Sequence, residues 1–490
     1  MTEWIVCVFF TVILVVTIYI IQLKRYRFVS WDALDIMTLV FVMYYVFPIL
    51  LIDLPGGIIE RVKMQGGKVP NSYWHVPIII GIFYFSIWIG FNFFEKINER
   101  KLRLIPKKIG YKNNIFNKYK IVILTSGHQL FIRLSILIPT ILTFVGLFAF
   151  FIRANDYGGV KKFFVYRNLI RLKLYDVAKG MSSIEYLFPC VTISFLFFFA
   201  RFLYSKPTIR WRNKTFLPLL FSTSISLIIA FSSGSRGELL FLIVFFPLIM
   251  VTIYNESLPY RRIFALSPLF IFILHFGKDI FAHISGISTY NSLYSLIIHK
   301  NSIFTSLNYF DFIQDFSINF QHWIFSIPIA LQYTQNFSQF GWFNEIITGF
   351  LTFLPKSWDL FPGLMNIQKF NTLLVYGNSI VERSSLPPGG IAYAIYSLQI
   401  PGVIIYGIFG GAIGKLVENN LRPIVKFHWS FLAVYVVFIQ VWVFGFLGGD
   451  WLSFYRIFIV NIFVLLLPYL LNIIKFNPKY YVYLNKSKLI

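Results

Sequence analysis

Apolar runs of about 20 residues, the length that crosses a bilayer as a helix, alternate with short polar breaks along most of this chain. The first run, "WIVCVFFTVILVVTIYIIQL" at 4–23, lacks a basic leader and a small-residue cleavage site, so it is read as a retained span. The pattern predicts eleven helices, at 4–23, 34–52, 77–94, 134–152, 186–204, 215–231, 238–254, 263–281, 390–414, 430–447 and 457–474. The expected fold is all-α: a single polytopic membrane domain over 1–490 with about 11 transmembrane helices, a number good to one either way. No internal repeat of fixed period is visible.

The breaks are unequal. Residues 282–389 form a segment too long for a connector, and it is expected to act as a large external lid. Its aromatic-rich stretches at 310–325 and 343–358 read as amphipathic helices resting on the outer interface. The segment 95–120 carries nine Lys or Arg and is the strongest cytoplasmic signal in the chain. With it fixed inside, the inner loops hold 25 Lys and Arg against 17 outside, the N-terminus is external and the C-terminus cytoplasmic. The external loop 153–185 is an exception, with seven basic residues on the side where they are disfavoured.

Composition agrees with a lipid solvent: 57% of the 490 residues are hydrophobic and 13% charged, with a mean hydropathy of +0.69. A soluble globular class is excluded on that balance. The net charge of +24 does not point to nucleic acid, because the 44 Lys and Arg are spread over loops and form no basic domain. The cysteines, Cys7 and Cys190, sit inside apolar runs as small hydrophobes, and no Cys/His spacing of a metal site is present. No cofactor is expected.

Chemistry is expected at the external rim. In "FSSGSRGELL" Arg236 occupies a Gly-flanked turn between two helices, where its guanidinium could grip a phosphate in bidentate fashion and the next helix could add free N–H groups. Lys278, Arg383 and Arg456 lie on the same expected side and are candidate helpers in holding a pyrophosphate, with Arg153 and Arg167 of the basic loop as a second anion site. Each of these cations has a simpler role as an interfacial anchor. Asp450, Glu238 and His322 are the candidate general bases among a larger set of external acids that includes Glu345. The glycines at 407, 410, 411 and 414 have small-xxx-small spacing and are expected to let helices pack closely.

The order of these features resembles the Wzy-type oligosaccharide repeat-unit polymerases of bacterial O-antigen and capsule synthesis. It rests on "SSGSRGELL" (232–240), similar to that family's Gly-Ser/Thr-Arg turn, on "FLPKSWDLFPG" (353–363) in the large loop, and on "SSLPPGGIAYAIYSLQIPGVIIYGIFGGAIG" (384–414). At Lys356 many relatives carry Arg. The resemblance implies a multi-pass enzyme of the bacterial inner membrane. Its substrate would be an undecaprenyl-pyrophosphate-linked oligosaccharide, polymerised by block transfer with release of undecaprenyl pyrophosphate. It also implies membrane lipid, a chain-length regulator and a flippase as partners. The alternatives are an O-antigen ligase, which uses the same donor, and a transporter of lipid-linked sugars.

Overall fold

The computed structural model describes residues 2–26, 32–52, 58–64, 66–70, 72–103, 134–171, 183–233, 236–255, 309–335, 341–349, 366–377, 386–425 and 428–470. Among these residues regular structure is helical throughout, with no strand. The main helices are α1 (Thr2–Tyr26), α2 (Ala33–Phe41), α3 (Ile58–Met64), α4 (Val76–Arg103), α5 (Leu137–Asp156), α6 (Val160–Arg171), α7 (Pro189–Tyr204) and α8 (Asn213–Ser233). They continue with α9 (236–255), α10 (Tyr309–Tyr333), α11 (Asn344–Gly349), α12 (Ile367–Tyr376), α13 (Gly389–Val425), α14 (Trp429–Gly448) and α15 (Trp451–Leu470). α2 runs on through a π turn, Val42–Val46, and a 3-10 turn, Phe47–Leu51. α9 contains a π turn of its own, Phe241–Phe245.

Nine helical segments among the described residues are long and apolar enough to cross a bilayer. They coincide with nine of the eleven expected helices. The expected helix at 457–474 falls on α15, and the one at 263–281 lies outside the described residues.

The glycines of α13 explain how the centre is built. A Cβ on Gly411 would collide with the Ile87 carbonyl of α4, and one on Gly407 with Ser86 of the same helix. On the other face Gly410 and Gly414 lie against Phe446 and Trp442 of α14, whose indole N–H donates to the Gly410 carbonyl at 2.8 Å. The expected close packing is therefore real and two-sided: without side chains at these positions, backbones approach to contact distance. Around this seam Phe83, Tyr406, Phe446 and Trp442 form the aromatic heart of the core.

α13 is not the single helix expected at 390–414. Leu398 (φ −153°) and Gln399 (φ 57°) leave helical geometry, and a Cβ on Gly402 would strike the Ala394 carbonyl. Eight residues of straight helix span about 12 Å, so the second arm, 401–425, folds back against the first, 389–397. The rings of Tyr393 and Tyr406 meet at 5.6 Å across the fold. Pro401 contributes, since in a continuous helix it would have no N–H for the Ser397 carbonyl and its ring would clash there, whereas it can itself open the next helix. The Gln399 side chain donates to the Thr334 carbonyl and ties the bend to the end of α10.

α10 was expected to rest on the surface, and the part of it described at the side-chain level is instead buried. Gln321, Phe325, Ser326 and Ile327 are fully covered. Trp323 stacks on Tyr44 of the α2 π turn at 4.5 Å, and the bare Cα of Gly389 (φ 75°) lets the start of α13 press against Trp323. Aromatic periodicity suits burial between helices as well as burial at a headgroup layer, which is why pattern alone chose the wrong surroundings.

Candidate functional site

Two carboxyl groups meet at the end of the bundle where α14 closes and α15 opens. Gly449 (φ 67°) caps α14 in left-handed geometry, so the chain turns within three residues and presents Asp450 at the mouth of the helix pair. Asn366, the N-cap of α12, accepts from Gln368 N–H at 2.7 Å with its side-chain oxygen and donates to Asp450 Oδ1 at 3.1 Å with its amide nitrogen. The next residue, Ile367, donates its backbone N–H to Glu345 Oε1 at 2.5 Å. Consecutive residues at one helix start therefore hold both acids, Asn366 through its side-chain amide and Ile367 through a backbone N–H that an α-helix leaves unsatisfied at its first turn.

α12 itself is fixed from below. The Asn371 amide donates to Ser326 Oγ of α10 and to the Leu386 carbonyl, both at 2.9 Å, while the Tyr396 hydroxyl donates to Asn371 Oδ1 at 2.7 Å. Leu386 N–H in turn donates to Thr372 Oγ1 at 2.8 Å. This polar lattice joins α10, α12 and the first arm of α13, so the α12 start has little freedom to drift away from the acids.

Glu345 belongs to the short helix α11 and is 5% exposed. Burial, together with the Asp450 charge, pushes its carboxyl up to about 8, while the Ile367 and Trp451 backbone N–H groups oppose the shift. The surroundings are aromatic. Tyr455 donates to the Ile346 carbonyl at 3.2 Å, Trp451 donates its indole N–H to the Tyr406 hydroxyl at 3.0 Å, and Phe343 stacks on Tyr406 at 5.9 Å. A carboxyl that changes charge near neutral pH in such a setting can take or give a proton under ordinary conditions.

Arg236 opens α9, as expected for the residue after the Gly-Ser turn, and its side chain lies outside the described residues. Its helix is antiparallel to α14: Phe241 meets Phe444 edge-on at 4.8 Å, and at the far end Tyr254 meets Tyr204, whose hydroxyl donates to the Val425 carbonyl. Arg236 is five residues and Asp450 six beyond the Phe241–Phe444 contact, on the same side of it, so both lie roughly 8 Å above it by helical rise. The Arg236 backbone thus shares one end of the bundle with the acid pair. Glu238 is exposed in the first turn of α9.

The remaining expected residues are distributed as follows. Arg456 is in the second turn of α15, with its side chain outside the described residues; Lys278 and Arg383 lie wholly outside them. His322 is half-buried on α10 beside Trp323, well embedded among helices. Arg153 and Arg167 have carboxylate partners. Glu185, itself buried, accepts from Arg153 Nε at 2.6 Å and from Arg167 Nη1 at 2.8 Å. Arg153 also reaches Asp156 at 3.2 Å and the Tyr157 hydroxyl at 3.2 Å. With its fork committed in this way, Arg153 is built as a structural cation, which gives that residue a reason independent of any anion ligand.

Sequence reasoning missed Glu185 and Asn366 and did not rank Glu345 above the other acids. The signal for Asn366 was an N-cap residue before an apolar periodic stretch, "NIQKFNTLLVY". A lateral groove of about 560 Å³ also opens between α4, α10 and the α13 bend, lined by Ile78, Ile79, Ile82, Leu331 and Ile400 with Ser72 and His75 at its polar rim. Compared with family models, curated proteins and solved structures, the chain matches none.

Proposed function

We propose that this chain is a membrane-embedded glycan polymerase of the Wzy type. It would join undecaprenyl-pyrophosphate-linked oligosaccharide units at the outer face of a bacterial cytoplasmic membrane. The growing chain is transferred as a block from its lipid pyrophosphate to a hydroxyl of the next repeat unit, and undecaprenyl pyrophosphate leaves. The observation that carries this reading is the shared bundle end of the Arg236 turn and the Glu345–Asp450 pair. Block transfer needs a cation where charge gathers on the leaving pyrophosphate and a proton acceptor where the sugar hydroxyl attacks. An arginine at a helix start suits the first requirement, and a carboxyl raised to about 8 suits the second. The all-helical, multi-pass architecture supports a lipid-linked substrate.

The test is reconstitution of the full chain with synthetic undecaprenyl-pyrophosphate repeat units and separation of products by size. A ladder is expected from the natural sequence, and Arg236→Ala should lower the rate at least ~100-fold, the scale of removing one charge-stabilising group. Transfer to lipid A core with no ladder would assign the ligase activity instead. Movement of the intact donor across vesicle membranes without new glycosidic bonds would assign transport.

A further inference from the structure

Among the acids at this end of the bundle, Glu345 differs in how its oxygens are used. Oε1 is held by Ile367 N–H at 2.5 Å and the Trp451 N–H also faces the carboxyl, yet Oε2 is buried and no donor reaches it in hydrogen-bond geometry. A buried carboxylate oxygen left unsatisfied is costly unless the group is protonated or meets a donor from a ligand. Glu238 is exposed, and Asp450 already spends Oδ1 on Asn366. We propose that Glu345 is the group that receives the proton from the attacking sugar hydroxyl, with Asp450 and Asn366 as its positioning residues; this rests on the polymerase reading.

The step balances within the substrates and this side chain. The acceptor O–H bond breaks and its proton passes to Glu345. The freed oxygen forms the bond to the anomeric carbon of the donor. The bond from that carbon to the pyrophosphate oxygen breaks, and its electron pair leaves on the pyrophosphate. Glu345 then returns the proton to water.

Among the described residues the titratable groups around Glu345 are Asp450 from the start of α15, Tyr393 from the first arm of α13, and Tyr455, which packs on α11. Burial is the larger cause of the raised Glu345 carboxyl, and the neighbouring Asp450 carboxylate adds to it. Glu345 lies one residue beyond the Gly341–Phe343 turn, which is pinned to the first arm of α13 by Gly341 N–H to the Tyr396 carbonyl at 2.9 Å and Trp342 N–H to the Ser397 carbonyl at 3.3 Å. Trp342 and Phe343 both adopt positive φ there, at 49° and 56°. Side chains rarely hold that conformation, so the two backbone hydrogen bonds are part of what holds the turn, and with it the start of α11, in place.

The experiment compares the natural sequence with Glu345→Gln, Glu345→Asp and Asp450→Asn in the reconstituted ladder assay, across pH, alongside binding of undecaprenyl pyrophosphate alone. The natural enzyme should gain rate as pH rises and level off above about 8. Glu345→Gln should lose at least ~100-fold in rate while binding undecaprenyl pyrophosphate as before. Glu345→Asp should recover part of that rate, which a misfolded protein could not do. Asp450→Asn should move the pH break downward, because a negative neighbour is gone. Laddering by Glu345→Gln within a few-fold of the natural rate, or a natural rate that stays flat across pH, overturns the proton-acceptor role and leaves the polymerase reading standing, while an unmoved break in Asp450→Asn overturns the part given to Asp450. Failure of the natural sequence to ladder removes the polymerase reading itself.

Discussion

Glu345 and Glu185 show opposite ways of burying an acid. Glu345 is kept by a raised affinity for its proton, so its contribution to stability has a definite sign. The folded state retains a proton between the ordinary value of 4.5 and about 8, where the unfolded chain has released it. Stability from this group is complete below that window and falls as pH rises through it. Thermal unfolding in detergent should therefore show a loss on the order of several kcal/mol over this range, and Glu345→Gln should flatten the curve. Glu185 is kept by two guanidinium partners, and truncation leaves both facing a hole. Glu185→Ala is expected to cost about 3–5 kcal/mol, measurable as a lowered unfolding midpoint, whereas Arg167→Ala should cost less because Arg153 still pairs with the acid. Arg153 and Arg167 were legible in the sequence as misplaced charges. Their partner was not, because it sits 32 and 18 residues away, and only the fold of the intervening chain brings it between them.

At the level of elements, apolar run length located the spans well, since a bilayer imposes that length whatever the tertiary contacts. The small-xxx-small spacing correctly marked the tightest seam, though which helices it joins came only from packing. Gly411→Val places a branched side chain against the Ile87 carbonyl and the Phe91 backbone of α4. It should destabilise the protein by about 1–3 kcal/mol or more, checked by unfolding midpoint, while substitution of exposed Phe409 on the same helix should be close to neutral. The bend in α13 had a signal in "SLQIPG", where Pro401 cannot donate to the carbonyl four residues back and so breaks a continuous helix. Run length outvoted it, because the residues on both sides are apolar and helix-compatible. The burial of α10 had no local signal: a stripe of rings looks alike against lipid headgroups and against other helices.

For the whole molecule, the uneven spread of basic residues predicts a definite orientation. With Cys7 and Cys190 replaced by serine, Thr2→Cys should react with a membrane-impermeant thiol reagent added outside intact cells, and Lys488→Cys should react only after permeabilisation. The reverse result would carry the Arg236 turn and the acid pair to the cytosolic face, away from any exported substrate. The second arm of α13 adds a mechanical consequence. Because bare backbone meets α4 on one flank and α14 on the other, this rod cannot slide or spin like a piston without prising apart both neighbours. The first arm is clamped as well, with Gly390 bare against the Phe446 carbonyl and Tyr396 tied to Asn371, so α13 serves the molecule as a fixed axle about which any rearrangement has to take place.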